Sequence, residues 1–329
     1  MVPGAQGDTA YGTAYTNAME RIEGQLADWA RRAKQVLAWN SCAKRQLHKV
    51  ELQHALGVEH EGLVLDLENC PRIEHLVSVC AGLVTVDEKN GIIRLVHYTA
   101  QEYFESTKAR WFPEMELEMT VICTIYLSFN IFATGHCESD KEFEERLAEH
   151  RLYAYAAQNW GLHARAAKAD DRVFSFLSRQ AQVDAAGQAL LASETSYNYE
   201  GYSQEVLHRT GLHLASYFCL VRAVAMIGDD QSVGVKNSIG QTCLHVATSG
   251  GHLDVAKLLI EKDADINAAT NDGETSLHWA LNNGHFDVVQ LLLNKNNDSC
   301  RDDNLGCSLP FYAVLGGLEA FNILRDKEM

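Results

Sequence analysis

The residues of this 329-residue chain best suited to nucleophilic, acid–base or metal chemistry are its 14 histidines and 9 cysteines. The cysteines fall singly at 42, 70, 80, 123, 137, 219, 243, 300 and 307, an odd number with no CxxC pair. Zinc sites and disulfide frameworks need closer or paired spacing, so these are expected to be reduced and mostly buried. A nucleophile and base could be sought in Cys137 beside His136, in Cys80 with His97, or in His60 beside Glu61. Neighbours in sequence seldom face one another, and neither G-x-S-x-G nor H-E-x-x-H occurs, so no catalytic residue is expected. The acidic clusters Glu142, Glu144 and Glu145, or Asp302 and Asp303, lack the EF-hand order and are expected to be solvated faces. No cofactor and no metal is therefore expected.

Two histidines are set apart by their spacing, because His245 and His278 lie inside a repeat. The strings GQTCLHVATSGGH from Gly240, GETSLHWALNNGH from Gly273 and GCSLPFYAVLGGL from Gly306 align at a period of 33 without drift. Thr242, Thr275 and Ser308 coincide, as do Ala247, Ala280 and Ala313, and Gly251, Gly284 and Gly317. A looser copy, TGLHLA, begins at Thr210, 32 residues before Thr242. Each Thr suits the cap of a first helix, and each Gly a tight turn after it. Val255, Leu258 and Leu259, then Val288, Leu291 and Leu292, make one stripe on a second helix.

These residues resemble the ankyrin repeat, whose period is about 33 and whose signature is T-P-L-H-x-A. The resemblance implies that Leu244 and Leu277 pack between units and that His245 and His278 tie adjacent loops by hydrogen bonds. They would then be scaffold, with no metal or catalytic role. The sequence departs from the family at Cys243 and Ser276, where Pro is usual, at Asn296 and Asn297, and at Phe311 in place of the His. The fourth unit reaches Met329 with little second helix, as a truncated or eroded cap would. In a stacked array, hairpin tips and the first-helix face form the binding side. In this register those positions are Ser238, Ile239, Gln241, Ser249 and Gly250, then Asn271, Asp272, Glu274, Asn282 and Asn283, with Asn304 and Leu305 continuing the line. The surface is polar and mildly acidic, which suits a protein partner with a neutral or basic face.

The elements ahead of the repeat read differently. Residues 14–39 place Tyr15, Met19, Ile22, Leu26, Trp29, Ala33, Val36 and Leu37 at spacings of mostly three and four, a long amphipathic helix with Gly24 as its weak point. LHKVELQHAL at 47–56 predicts a second helix, and PRIEHLVSVC a third, with Pro71 in its first turn. GLVTV at 82–86 and IIRLVH at 92–97 are strands, joined by DEKNG, whose Asn90-Gly91 favours a hairpin. Helix resumes over 97–112. Three helices followed by a hairpin is the order of a winged helix. Residues 1–135 carry 12 basic and 17 acidic side chains, a net of −5, which is the wrong sign for a DNA reader. Residues 136–209 read as a packed helical connector, with SETSYNYEGYS at 193–203 as hinge or surface loop.

AYTNAMERIEGQLADWARRAKQVLAW, VELQHAL, LVSVCAGLVTVD and IIRLVHYTAQEYF resemble the winged helix of the GPI inositol-deacylase type that follows the NACHT nucleoside-triphosphatase module in fungal STAND receptors. Those proteins are similar to NLR immune receptors and commonly end in ankyrin repeats. The resemblance covers about residues 11–210. No G-x-x-x-x-G-K-[ST] occurs, so if the family hydrolyses nucleotide this chain does not do so alone.

The expected architecture is mainly α: a disordered tail at 1–13, a winged-helix domain at 14–135, the connector at 136–209, and about four ankyrin repeats at 210–329, the first and last degenerate. The expected function is a non-enzymatic protein-interaction module of a NACHT-ankyrin receptor, its partners a protein bound by the array and a NACHT module in the same or another chain. A free-standing ankyrin adaptor and a winged-helix nucleic-acid binder are the alternatives. The chain has 28 Lys and Arg against 44 Asp and Glu, a charge of −16 that disfavours nucleic acid and anionic membrane. With no signal peptide, and an apolar run at 121–133 too short to span a bilayer, an intracellular, cytoplasmic protein is expected, the nucleus not excluded.

Overall fold

The computed structural model describes residues 5–168, 170–194, 208–228, 232–295, 302–317, 319 and 322–324. They divide into two units, Met1–Ile131 with Glu145–His163, and Phe132–Glu144 with Ala164–Met329. The connector expected as one segment over 136–209 is thus shared between the two. The stretch expected as a hinge at 193–203 lies outside the described residues from 195 onward.

In the first unit, α1 (Ala5–Glu23) and α2 (Ala27–Cys42) replace the single helix expected over 14–39. The chain turns at Gly24, the poorest helix former in the stretch, and Leu26 is extended at ψ 141° before α2 starts. This break shifts the phase of the apolar stripe. Met19, Ile22, Ala33, Val36 and Leu37 are fully buried, but Leu26 and Trp29, expected on the same face, are exposed. Because α1 begins at Ala5, residues 5–13, expected as a disordered tail, are helical.

Next come β1 (Leu47–His48), α3 (Lys49–Gly57), α4 (Ile73–Val79), β2 (Val84–Val86), β3 (Ile92–Leu95), α5 (Tyr98–Trp111) and α6 (Met115–Leu127). The sheet order is β1-β3-β2, antiparallel throughout, with Val84 opposite Leu95 and Leu47 opposite Ile93. The hairpin closes as the Asn90-Gly91 pair predicts: Asp87 N–H donates to Ile92 O at 2.8 Å and Gly91 takes φ +68°. Two residues are too short for a period-2 signal, so β1 is a strand the sequence does not announce. α4 is capped at Arg72, which leaves Pro71 ahead of the helix rather than in its first turn. Trp39, Phe104 and Tyr126 fill the core, Trp39 meeting the edge of Tyr155 at 5.7 Å between centroids.

The remaining helices are α7 (Asp140–Glu149), α8 (Tyr153–Ala167), α9 (Asp170–Leu177) and α10 (Gln180–Glu194), then α11 (Gly211–Tyr217) with α12 (Val221–Ile227), α13 (Cys243–Ser249) with α14 (Leu253–Glu261), α15 (Ser276–Asn282) with α16 (Phe286–Lys295), and α17 (Leu309–Gly316). The first helices of the pairs stack in succession, α11 on α13, α13 on α15 and α15 on α17. Ala247, Ala280 and Ala313 are fully buried where these helices approach, and Leu244, Val255, Leu259, Leu277, Val288 and Leu292 supply the apolar filling. Leu258 and Leu291 of the expected stripe are only half-buried. Among the described residues no helix is long and apolar enough to cross a membrane.

Candidate protein-interaction surface

Three loops between the helix pairs have the same construction, fixed by three residues at intervals of 33, Asn237, Thr270 and Asp303. Each backbone N–H donates four residues on, to Gln241 O, Glu274 O and Cys307 O at 2.9 to 3.1 Å. The side chain accepts in return: Asn237 Oδ1 from Gln241 N–H at 2.9 Å, Thr270 Oγ1 from Glu274 N–H at 3.2 Å, and Asp303 Oδ1 from Cys307 N–H at 2.7 Å. The short polar side chain thus closes each loop by a local bond to the backbone. Successive tips are then joined. Asn271 donates to Ile239 O and Ser238 O at 3.0 and 2.9 Å, and Asn304 donates to Asp272 O and Asn271 O, both at 2.9 Å.

Beneath the tips runs a ladder of histidines. Each Thr hydroxyl at the head of a first helix faces the third helical amide, the cap the sequence predicts, and also meets the His Nδ1 at 2.8 to 2.9 Å in Thr210–His213, Thr242–His245 and Thr275–His278. With Nδ1 accepting, the other ring nitrogen carries the proton. His213 Nε2 donates to Gln241 O at 3.1 Å and His245 Nε2 to Glu274 O at 3.2 Å, each reaching the next unit. Burial pushes both rings down to about 4, which keeps them neutral and in this tautomer. A second ladder runs backward: His252 Nε2 donates to Tyr217 O and His285 Nε2 to Ser249 O, both at 2.9 Å. Their spacing of 33 was the signal available for this second row.

At the fourth unit the ladder changes chemistry. Phe311 stands in the His position and is exposed, while Tyr312 turns inward and meets the His278 ring edge-on at 4.9 Å. The Tyr312 hydroxyl lies 2.6 Å from Asp303 Oδ2 and 2.9 Å from Glu274 Oε1. Its hydrogen bond holds the Asp303 carboxyl below the usual range.

Nine of the twelve residues predicted for the binding side are exposed: Ser238, Ile239, Gly250, Asn271, Asp272, Asn282, Asn283, Asn304 and Leu305. Three are not. Gln241 is buried, its Oε1 accepting from Asn237 Nδ2 at 2.9 Å. Glu274 is half-buried against Tyr312, and Ser249 is half-buried with its carbonyl on the second ladder. Asp303, expected on a solvated face, is buried for the reason just given.

The candidate catalytic pairs do not assemble. Cys137 is buried, with its backbone clasped by the Gln188 carboxamide at 2.8 and 3.0 Å. Cys80 is buried at the end of α4, burial pushing its thiol up to about 12. His97 caps α5 through Thr99 N–H, and His60 and Glu61 are exposed. Among the described residues no group of three or more metal-ligating side chains occurs.

The geometry defines a protein with a small winged sheet-and-helix unit and a stack of helix pairs linked by histidines. Comparison with known families agrees with this reading. Residues 204–303 and 268–328 match ankyrin repeats (3 copies), and residues 20–121 match the winged helix domain of GPI inositol-deacylase. No curated protein matches the chain.

Proposed function

We propose that this chain is a non-enzymatic interaction module whose ankyrin stack holds a protein partner through its loop tips. The stack's own hydrogen bonds carry the reading: they are made by backbone, by buried histidines and by the tip side chains of Asn271 and Asn304, which leaves the side chains of Ile239, Asp272 and Leu305 exposed on the tips with no part in them. The partner face is neutral or basic, since the exposed carboxylates Asp272 and Asp302 outnumber the exposed Lys236 along the tips. In the finer reading the chain belongs to a NACHT-ankyrin receptor of the STAND type in the cytoplasm. The winged-helix unit then serves as a regulatory element against a nucleotidase module in the same or another chain. The order of winged helix before ankyrin repeats supports that context.

Affinity capture from the source cell, with the full chain and with an I239D/L305D variant as baits, tests the first reading. A protein held by the first and lost by the second is expected, and identical captures would overturn it. A P-loop module encoded beside this sequence and co-purifying with the chain is expected under the receptor reading, whereas its absence favours a free-standing adaptor. Purified chain that hydrolysed ATP at a catalytic rate would refute the non-enzymatic assignment.

A further inference from the structure

The loop between α3 and α4, residues 58–72, is held rigidly yet turns its apolar side chains outward. Asn130 N–H donates to Leu63 O at 2.9 Å, Gly62 N–H closes on Glu59 O at 3.0 Å, and Asn69 Nδ2 donates to both Glu59 Oε1 and Asp66 Oδ2. With the backbone so fixed, Leu63, Val64 and Leu67 remain 58%, 65% and 67% exposed. Beside them opens a groove of about 360 Å³ lined by Val64, Leu65, Leu67, Phe129 and Ile131, with Glu149 and His150 completing its wall. Contiguous apolar surface of this kind marks an interaction site more often than chance exposure.

The charges on the loop side of the groove have one sign, and outnumber Arg146 and Arg151 beside His150 on the opposite wall. From Val50 to Pro71 the chain has no Lys or Arg, while Glu59, Glu61, Asp66 and Glu68 are exposed on the loop and Glu149 is exposed at the wall. His150 adds no positive charge at neutral pH, because burial lowers its proton affinity. An acidic or neutral apolar segment would lose the rim, and a small molecule would leave it unused. A helix with apolar residues three and four apart fills the groove from one face and carries basic residues to the rim from its flanks.

We infer that this groove is a docking site for a basic amphipathic helix of a partner protein. It lies on the winged-helix unit and does not depend on the ankyrin stack having a ligand. The test uses the full chain and a fluorescent 18-residue Leu/Lys amphipathic peptide, with a Leu/Glu peptide of the same pattern as control. The Leu/Lys peptide is expected to bind saturably, and V64D/L67D to weaken it by about tenfold even though the variant adds negative charge. E61K/E68K is expected to weaken it as well, by a factor that shrinks as salt rises. Val64 and Leu67 are exposed, so an unchanged melting temperature is expected for V64D/L67D. Equal binding of the Leu/Glu peptide, or Leu/Lys binding unaffected by V64D/L67D, would overturn the assignment. So would self-association abolished by V64D/L67D without peptide binding, since that gives the groove to a second copy of the chain.

Discussion

In the stack, His213 and His245 make the same hydrogen bonds 32 residues apart, Nδ1 to the capping Thr and Nε2 to a carbonyl of the next unit. In the first unit, His163 donates through Nδ1 to Glu116 at 2.5 Å and accepts at Nε2 from Tyr155, whose hydroxyl in turn accepts from Lys44 N–H. Among the described residues that arrangement occurs once, and it joins positions up to 111 residues apart. Burial works against the Glu116 charge, but His163 and Lys44 prevail and hold its carboxyl below the usual range. The histidines of both arrangements are buried, and burial lowers the proton affinity of each. They differ in that the first arrangement is a nearest-neighbour increment that can be lost one step at a time, while the second belongs to a core lost as a whole.

The largest effect expected follows from that contrast. Trp39→Ala should cost the first unit about 3–5 kcal/mol, because a fully buried indole leaves a cavity that its neighbours cannot close. His245→Ala should cost about 1–3 kcal/mol by leaving the buried Thr242 amide without its acceptor and removing one of the two hydrogen bonds to the Glu274 carbonyl. Hydrogen exchange separates the two. Trp39→Ala should deprotect α2, α5 and α6 together, whereas His245→Ala should deprotect α13 and its stacking neighbours α11 and α15. Equal loss of protection in every helix, in either variant, would break the comparison.

Acid comes next. His213 and His245 titrate at about 4 in the folded chain, against about 6.5 when unfolded. Between those values the unfolded chain binds more protons, so stability is complete above about 6.5, falls with pH, and levels off below about 4. Near pH 5 each ring should cost about 2 kcal/mol. Urea midpoints at pH 7 and pH 5 measure this, and H213Q/H245Q should flatten the slope; an unchanged slope would mean that other groups carry it.

A smaller loss is expected at the turn between paired helices. Gly284 takes φ +69°, and a Cβ there would stand 3.0 Å from Gly316 O, so Gly284→Val should cost about 1–3 kcal/mol. A melting temperature that did not move would show that the turn relaxes freely.

The stack was legible because translation repeats its signals: a Thr, a His, an Ala and a Gly at period 33 identify the cap, the ladder, the close packing and the turn before any coordinate is known. What the period does not reveal is which way a tip residue faces. Gln241 and Glu274 follow the tips yet point inward, Gln241 to Asn237 and Glu274 to Tyr312, partners fixed only by folding. The winged-helix unit was legible in its order of elements and in the Asn90-Gly91 turn. It was not legible in its phase, since a three-residue break at Gly24 turned Leu26 and Trp29 outward. The groove beside Val64 escaped altogether, because Phe129, Ile131 and Glu149 join the loop from positions more than 60 residues away.

The smallest effect tests whether exposure on a tip means availability. Leu305 is 85% exposed, and its backbone N–H, not its side chain, ties it to the loop by donating to Asp303 Oδ1 at 2.9 Å. Leu305→Ser should therefore leave stability within about 0.5 kcal/mol while weakening partner capture. Asn304, its exposed neighbour, donates through its side chain to Asn271 O, so Asn304→Ala should cost about 0.5–1.5 kcal/mol with or without a partner. The pair thus separates side chains that hold the tips together from those left over for binding. Equal destabilisation by both variants would mean that Leu305 also belongs to the scaffold, and the binding side would then narrow to Ile239, Asp272 and the ends of the first helices.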